Sequence, residues 1–498
     1  MMVLLALLLG ALLPLAFAPF EYWWLAPLLI AAWVWCWFGA SGRRVFWIGF
    51  AFGAGAFLTG TYWLYHSIAV IGKAPLALTL FLMLGMVAIM ALYFGACAAL
   101  VKRVCRDDWR SALLMLAPMY TVLEWLRGWV LSGFPWLNLG YTLPESFQSG
   151  WLPLGGVHLG SFVLVSFAAG VLWVIKSDGR ERVLAALAIV SLALVGGVLS
   201  QRQWSVVGDQ RVTVRVGQLG LDQELKWRPE QFQATLQWYA TFVRDNVDAD
   251  LLVTPEVALP TLAERVPDYL AQLQQSVRDG DSDLLVGILR RDAQQQVSNA
   301  LLQLGDGERQ WYEKRHLVPY GEFFPVPAFI RAWMKAKGLP FTDLKAGSDQ
   351  QSPIVAAGHP IATSICYEDA YASEQLLFFP AARFIVNVTN DAWFGDTIAP
   401  HQHLQIARTR STEAQRWQVR AANTGITAII DDYGRVVKAA PAFEPAVLSG
   451  TIEIREGHTP YTLTGDKPVL LLSLVLLGGL IQRKRAGRGT SASVSTEH

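Results

Sequence analysis

Long apolar runs fill the first 200 residues of the chain and return once near its end. Because a helix that crosses a bilayer needs roughly 20 mostly apolar residues, each run predicts a membrane span. The predicted spans lie near residues 2–18, 22–39, 45–65, 77–100, 111–131, 157–175 and 183–200, and an eighth lies at 467–482. We therefore predict an α-helical membrane bundle of about eight spans, with residues 1–200 as its main part.

The segment between those runs, residues 201–466, alternates strand-like and helix-like patterns. Period-two or short apolar stretches predict strands over 211–217, 249–254, 283–289, 299–304 and 384–389, with one more that ends at Cys366. Amphipathic stretches predict helices over 231–246, 262–279 and 401–420. Residues 431–434 separate two short strands and predict a hairpin. This order predicts an α/β or α+β layered domain, and the polar residues 483–498 predict a disordered cytoplasmic tail.

The composition fits a membrane protein with one large water-facing domain. Hydrophobic residues make up 53% of the 498 residues and charged residues only 16%, whereas soluble domains carry about a quarter charged residues. The net charge of +1 gives no argument for nucleic acid as a partner. Cys366 is the only cysteine of the polar domain, and the sequence has no Cys-x-x-Cys pair or Cys/His cluster. No metal and no organic cofactor is therefore implied.

Basic residues mark one side of the predicted bundle. Arg43 and Arg44, and the basic residues of 102–110, 176–182 and 483–485, fall in alternate loops or after the last span. Because loops rich in Lys and Arg stay on the cytoplasmic side, both termini are predicted to be cytoplasmic. The domain at 201–466 is then predicted to be periplasmic, on the outer face of a bacterial inner membrane.

The clearest candidate for chemistry is Cys366, which ends an apolar, β-prone stretch and is followed by Tyr367 and Glu368. A lone thiol in this domain is either a buried small hydrophobe or a nucleophile. Two other stretches favour the nucleophile: Glu256 follows a strand-like run, and Lys314 lies between strand-like residues and a Pro-rich turn.

A glutamate, a lysine and a cysteine at three strand ends could form one catalytic site. The thiolate is the nucleophile, and the thiol needs a base to take its proton. A carboxylate such as Glu256 in a partly apolar site can be that base. A fixed ammonium such as Lys314 can stabilise first the thiolate and then the oxyanion of a tetrahedral intermediate.

The motifs around these residues resemble the nitrilase, or carbon–nitrogen hydrolase, superfamily. They are PE at 255–256, KRHLVP at 314–319 with GE at 321–322, CYE at 366–368, and NDAWF at 390–394. Together with the flanking spans and the loop at 133–141, the chain resembles the apolipoprotein N-acyltransferase family along almost its whole length.

The resemblance implies a four-layer αββα sandwich held outside the membrane on a bundle of eight helices. It implies the catalytic triad Glu256, Lys314 and Cys366, and supporting or substrate-binding roles for Trp227, Glu322, Tyr367 and Glu368. The implied reaction is ping-pong: Cys366 takes an acyl chain from a phospholipid, typically phosphatidylethanolamine, as a thioester. The N-terminal amine of a diacylated apolipoprotein then accepts the acyl chain at its diacylglyceryl-cysteine. The implied partners are the phospholipid donor, the apolipoprotein acceptor and the bilayer.

Three other interpretations remain open. A membrane-anchored nitrilase-type amidase would use the same triad with water in place of the amine, although one anchor would then be enough. A lipoprotein-binding scaffold or a transporter would not need an intact Glu256, Lys314 and Cys366. His316 could form a Cys–His dyad, although Glu256 and Lys314 already fill the roles of base and cation.

Further segments have two interpretations each. The apolar segment 323–330, with Trp333, Met334, Leu339 and Phe341, predicts either contact with lipid or internal packing. Trp227 lies either on a mobile lid or in the core. The loop at 133–141 is either part of an aromatic belt or the edge of a lipid entrance. Glu124 and Arg127, one helical turn apart in a predicted span, are either functional or a structural ion pair.

Overall fold

The computed structural model describes residues 1–323, residue 329 and residues 343–493, with side chains up to residue 484. The chain forms two compact units. The first contains Met1–Arg202, Thr397–Gln405 and Thr464–His498, and the second contains Gln203–Asp396 and Ile406–Leu463.

The first unit is built of helices that follow the apolar runs. Its helices are α1 Met2–Leu12, α2 Leu25–Trp35, α3 Gly42–Gly60, α4 Leu76–Cys105, α5 Trp109–Arg127, α6 Leu152–Lys176 and α7 Gly179–Leu199. Of the described residues, three segments are long and apolar enough to cross a membrane: Leu76–Cys105, Ser149–Lys176 and Gly179–Leu199. Met2–Ala16 and Leu25–Trp35 are apolar but shorter. A count of about eight spans therefore stays a prediction.

The last helix of the first unit runs further than the apolar pattern indicated. It extends over Lys467–Ser493, whereas we expected a span ending at 482 and a disordered tail from 483. A contact between Lys484 and Asp108 holds this part of the helix against the start of α5. Residues 494–498 lie outside the described part of the chain.

The charged pair inside α5 has a structural role in the described contacts. Glu124 and Arg127 are 3% and 1% exposed and lie 3.8 Å apart. Glu124 Oε1 accepts a hydrogen bond from the backbone N–H of Leu139 at 3.0 Å, and Arg127 donates to Asn138 Oδ1 at 2.5 Å. The pair therefore ties the loop at 133–141 to the helix. Trp136 of that loop is buried rather than exposed as in an aromatic belt.

The second unit contains two β-sheets among the described residues. The strands are β1 Ser205–Gln218, β2 Leu251–Val253, β3 Leu259–Leu262, β4 Asp283–Arg291, β5 Val297–Leu304, β6 Gln310–Glu313, β7 Val355–Ala356, β8 His359–Ile365, β9 Phe384–Thr389, β10 Gln418–Ala422, β11 Ala428–Ile430, β12 Val436–Ala439 and β13 Ala446–Gly457. The first sheet has the order β13-β1-β2-β4-β5-β6 with β3 beside β4, and the second has the order β12-β11-β10-β9-β8-β7. Parallel pairs occupy the centre of each sheet. These central strands are buried along their length, as strands covered on both faces are.

The helices of this unit are α8 Gln223–Lys226, α9 Pro229–Arg244, α10 Pro267–Asp279, α11 Ala372–Gln375, α12 Ala399–Ala414 and α13 Pro460–Thr464, and the helix over Lys467–Ser493 is α14. Helix α12 begins in the first unit and ends in the second. Leu270, Leu273 and Val277 recur at helical spacing on α10 and pack with α9 against the first sheet. Burial of one such side chain contributes about 1.5–3 kcal/mol.

The two sheets pack face to face, and each carries helices. A Cβ on Gly450 of β13 would lie 2.3 Å from Cδ1 of Ile429 of β11, so the Ile429 side chain packs directly onto the backbone of β13 there. Ser411 of α12 donates to Gln418 of β10 at 3.0 Å, which joins that helix to the second sheet. The described layers therefore follow the order expected of an αββα sandwich.

The helix predicted over 401–420 was wrong at its C-terminal end. Helix α12 stops at Ala414, where Gln415 takes a φ of +46°, and residues 418–422 form β10. The polar pattern of this stretch resembles a helix, but β10 gains a parallel ladder with β9 and is fully buried. Strand β13 also lay outside our predictions.

Candidate active site

Three strand ends present the predicted triad. Glu256 follows β2 by three residues, Lys314 follows β6 directly, and Cys366 follows β8 directly. Cys366 adopts a φ of +56°, a backbone conformation that a non-glycine residue rarely takes and that clusters at functional sites. All three side chains are more than nine-tenths buried.

Lys314 lies between two carboxylates. Its Nζ donates to Glu256 Oε1 at 3.2 Å and to Glu322 Oε1 at 2.9 Å. The side-chain amide of Asn299 donates to the same two oxygens, at 2.7 Å and 3.2 Å. Glu322 also accepts from the backbone N–H of Val318 at 2.8 Å, which holds it in this position. Glu256, Lys314 and Glu322 therefore form one buried cluster, in which the side-chain amide of Asn299 donates further hydrogen bonds to both carboxylates.

The electrostatics of the cluster keep the ammonium charged and the thiol protonated. Burial alone lowers the pKa of Lys314, but the charges of Glu256 and Glu322 outweigh it and hold that pKa well above its usual value. Burial raises the pKa of the Cys366 thiol, the charge of Glu256 raises it further, and Lys314 only partly opposes them. A hydrogen bond with Thr389 also acts on the thiol. A thiol of this kind needs a base at the moment it reacts, and Glu256 is the nearby candidate.

Glu368 holds the strand ends of Lys314 and Cys366 together. Its carboxylate accepts hydrogen bonds from the backbone N–H groups of Arg315 at 2.6 Å and Ile365 at 2.6 Å. The Tyr312 hydroxyl donates to it as well, at 2.9 Å to either oxygen. Burial raises the pKa of Glu368 to about 7, and the N–H donors of Ile365 and Arg315 oppose that rise. Glu368 thus contacts Arg315 and Ile365, the residues that adjoin Lys314 and Cys366 in the chain.

Tyr367 and His316 belong to an aromatic group beside the nucleophile. His316 stacks on Tyr371 with ring centroids 3.5 Å apart, and Tyr367 packs edge-on against both rings. His316 Nδ1 lies 2.9 Å from Glu374 Oε1. These contacts engage the imidazole in a structural stack, which favours Glu256 over His316 as the base.

Trp227, the remaining predicted site residue, is 51% exposed and directly follows α8. It is therefore not a core tryptophan, and its place on a lid stays a prediction. The apolar segment at 323–330 lies outside the described residues except for Phe323 and Phe329, of which Phe329 is 73% exposed. Residues 333, 334, 339 and 341 also lie outside them, so the predicted lipid contact stays a prediction.

The structure brings residues to the site that we did not predict. Asn299 contacts both carboxylates, and Lys226 donates to the backbone oxygen of Glu256 at 3.1 Å. Arg420 pairs with Asp391, which acts electrostatically on Cys366. A polar residue inside an apolar strand, as in VSNALLQL at 297–304, was a usable signal for Asn299. A lysine among the charged residues of 222–230 carries no such signal.

Comparisons with known proteins agree over both units. Residues 9–170 match the family model of the apolipoprotein N-acyltransferase N-terminal domain, and residues 213–457 match that of the carbon–nitrogen hydrolases. A relative from Methylococcus capsulatus is 38% identical over 97% of this chain and 96% of its own length. Relatives from Photobacterium profundum and Chromobacterium violaceum are each 36% identical, over 97% and 98% of this chain and 96% and 95% of their own lengths. All three are named apolipoprotein N-acyltransferase.

A solved carbon–nitrogen hydrolase from Helicobacter pylori G27 is similar over 48% of this chain and 88% of its own, at 13% identity and a TM-score of 0.36. The match to the carbon–nitrogen hydrolase model covers the sheets that carry Glu256, Lys314 and Cys366. The second unit therefore has a nitrilase-like fold.

Proposed function

The chain belongs to the apolipoprotein N-acyltransferase family, and we propose that it transfers an acyl chain from a phospholipid to a lipoprotein through a thioester on Cys366. The acceptor is the N-terminal amine of a diacylglyceryl-cysteine. The observation that carries the proposal is the buried cluster in which Lys314 contacts Glu256 and Glu322, in electrostatic contact with the Cys366 thiol.

In the first half-reaction, Glu256 takes the proton of the Cys366 thiol as Sγ attacks the ester carbonyl of the phospholipid. A new C–S bond forms, and the carbonyl oxygen becomes an oxyanion that the Lys314 ammonium stabilises. The tetrahedral intermediate then collapses, the ester C–O bond breaks, and Glu256 returns its proton to the leaving alkoxide. The products are an acyl thioester on Cys366 and a lysophospholipid.

In the second half-reaction, the neutral amine of the acceptor attacks the thioester carbonyl. The C–N bond forms, Glu256 takes a proton from the nitrogen, and the C–S bond breaks as the intermediate collapses. Cys366 leaves as a thiolate and regains a proton from Glu256. Because Glu256 acts as base and then as acid in each half-reaction, it must stay close to both Sγ and the substrate oxygen or nitrogen.

Phosphatidylethanolamine is the proposed donor, as the family resemblance implies. The proposed setting is the inner membrane of a bacterium, with about eight spans, both termini in the cytoplasm and the second unit in the periplasm. The intervening loops are nearly free of Lys and Arg, with Lys73 as the exception, and this supports the proposed orientation. Both proposed substrates are lipids, which is consistent with a catalytic unit attached to a large apolar unit.

The test is an intact mass of the detergent-purified full-length protein after incubation with phosphatidylethanolamine and no acceptor. We expect one added acyl chain that hydroxylamine removes. The variant Cys366→Ala should gain none, and Cys36→Ala, which removes another buried cysteine, should gain it as the wild type does. A diacylated lipopeptide should then discharge the thioester and become N-acylated, whereas an amidase would release the acyl chain to water. A folded protein that forms neither adduct nor lysophospholipid would refute the proposal.

A further inference from the structure

Lys226 is a buried lysine next to the proposed active site that the mechanism above does not use. It is the last residue of α8 and is only 4% exposed. Its Nζ donates to the backbone oxygen of Glu256 at 3.1 Å. In the described part of the chain no carboxylate forms an ion pair with it, although buried ammonium groups usually have one. Its ammonium is therefore directed to the main chain of the proposed base.

The turn that carries Glu256 is strained. Val257 has a φ of +45°, which is unfavourable for a β-branched residue and persists only where neighbours fix the backbone. Gly287 of β4 is one such neighbour, because a Cβ there would lie 2.0 Å from the backbone oxygen of Pro255 and 2.7 Å from the nitrogen of Val257. The hydrogen bond from Lys226 is a second fixed contact on the same turn.

The segment that contains Lys226 is also anchored at its other end. The side chain of Asn390, just after β9, donates to Gln223 Oε1 at 2.7 Å. The side chain of Asn423 donates to the backbone oxygen of Leu221 at 2.7 Å. The short helix therefore connects the strand ends of the second sheet to the turn of the first sheet, and the exposed Trp227 follows it.

We propose that Lys226 is a positioning residue that holds the strained turn presenting Glu256 and connects that turn to the Trp227 segment. The inference rests on the proposed function, since it assigns Lys226 to the positioning of the base in that reaction. Without the contact, the turn should relax and Glu256 should lose its fixed distance from the thiol, because a small displacement of a catalytic group costs a large factor in rate.

Because Lys226 is charged, its contact with the Glu256 turn should change with pH, whereas a contact between uncharged groups would not. Burial lowers the pKa of Lys226 to about 8, and electrostatic interactions with Glu256 and then Cys366, the ionisable groups that act on it, partly oppose this. Below pH 8 the ammonium donates a charge-assisted hydrogen bond, and above pH 8 the neutral amine donates a weaker one. The acylation rate should therefore fall on the alkaline side with a midpoint near 8.

The experiment measures the single-turnover rate of acyl-Cys366 formation with phosphatidylethanolamine between pH 6.5 and 9.5. We expect Lys226→Met to react about 10- to 100-fold more slowly at pH 7, the factor for losing a hydrogen bond from a charged donor, and to lack the alkaline fall. Lys226→Arg should stay within about 5-fold of the wild type and keep its activity past pH 9, because guanidinium does not titrate there. Lys345→Met, which removes a half-exposed lysine paired with Asp292, is the matched control.

A wild-type rate and pH profile in Lys226→Met would overturn the inference. If Lys226→Met unfolds at a lower temperature than the wild type, Lys226→Arg is the deciding variant. A fall in acylation rate near pH 8 that persists in a folded Lys226→Arg also overturns the positioning role. If the wild type forms no thioester, the proposed function fails, and Lys226 is then tested through amide hydrogen exchange of the turn at residues 256–258 without lipid. Faster exchange there in Lys226→Met than in Lys345→Met would support the positioning role, and equal rates would refute it.

Discussion

Replacing Arg420 by methionine should destabilise the second unit. Arg420 lies on β10 and is fully buried. Its guanidinium donates to Asp391 Oδ2 at 3.0 Å and to Asn387 Oδ1 at 2.6 Å, and lies 3.5 Å from Asp369 Oδ2. Methionine fills a similar volume but leaves two buried carboxylates without their cation.

The expected magnitude follows from the burial of all partners. Breaking a buried ion pair from one side costs about 3–5 kcal/mol, because the remaining charge is left without compensation. Both aspartates are also fully buried at this pair. Asp369 keeps hydrogen bonds from Ser364 and Gln375, which places the expected loss at the lower end of that range. For a unit of this size, the loss corresponds to a fall in melting temperature of about 6–12 °C.

The assay is thermal unfolding of the detergent-solubilised protein, followed by near-ultraviolet circular dichroism. Arg211→Met is the matched control, since the exposed Arg211 of β1 pairs with Glu453 of β13 and should contribute less than about 1 kcal/mol. The double variant Arg420→Met with Asp391→Asn should recover at least part of the loss. A change of less than 2 °C in Arg420→Met, or no recovery in the double variant, would refute the reasoning.

Three further predictions concern the site itself. Gly287→Ala should displace the turn at Pro255, where the new Cβ has no room. Acylation of Cys366, measured by single-turnover kinetics, should slow at least about 10-fold, and a wild-type rate would contradict the rigidity of that turn. Lys314→Met should lower the rate of thioester formation by about 1,000-fold, since one oxyanion donor contributes 10²–10³-fold and the thiolate also loses its cation. Intact mass measures the acylated fraction, and a normal yield would exclude a role of Lys314 in stabilising the oxyanion. Alkylation of Cys366 by iodoacetamide should rise about tenfold for each pH unit up to at least pH 9, because burial and Glu256 raise the thiol pKa; a plateau below pH 8 would indicate a lowered pKa instead.

The local pattern of apolar and polar residues predicted the helices and strands that depend mainly on residues close together in the chain. The strands ending near Glu256 and at Cys366 were predictable because short apolar runs have only a few ways to be buried. The helix over 231–246 and the hairpin at 431–434 were confirmed for the same reason. The helix predicted over 401–420 failed at β10, where pairing with β9 overrides local propensity.

The family was also determined by sequence, because its motifs are separated stretches that can be recognised without a structure. The predicted membership was confirmed by relatives aligned over nearly the whole chain. The orientation in the membrane and the number of spans stay predictions, since they depend on the bilayer as well as on the chain.

Only the tertiary structure decided which polar groups meet. Lys226 and Glu256 are 30 positions apart, and Glu368 joins segments that lie 53 positions apart in the chain. No local pattern encodes such distances, because they follow from how the two sheets bring their strand ends together. The raised thiol pKa of Cys366 and the lowered amine pKa of Lys226 likewise come from burial among these partners. Burial depends on packing, so the sequence could name the reactive groups, whereas their protonation and positioning required the fold.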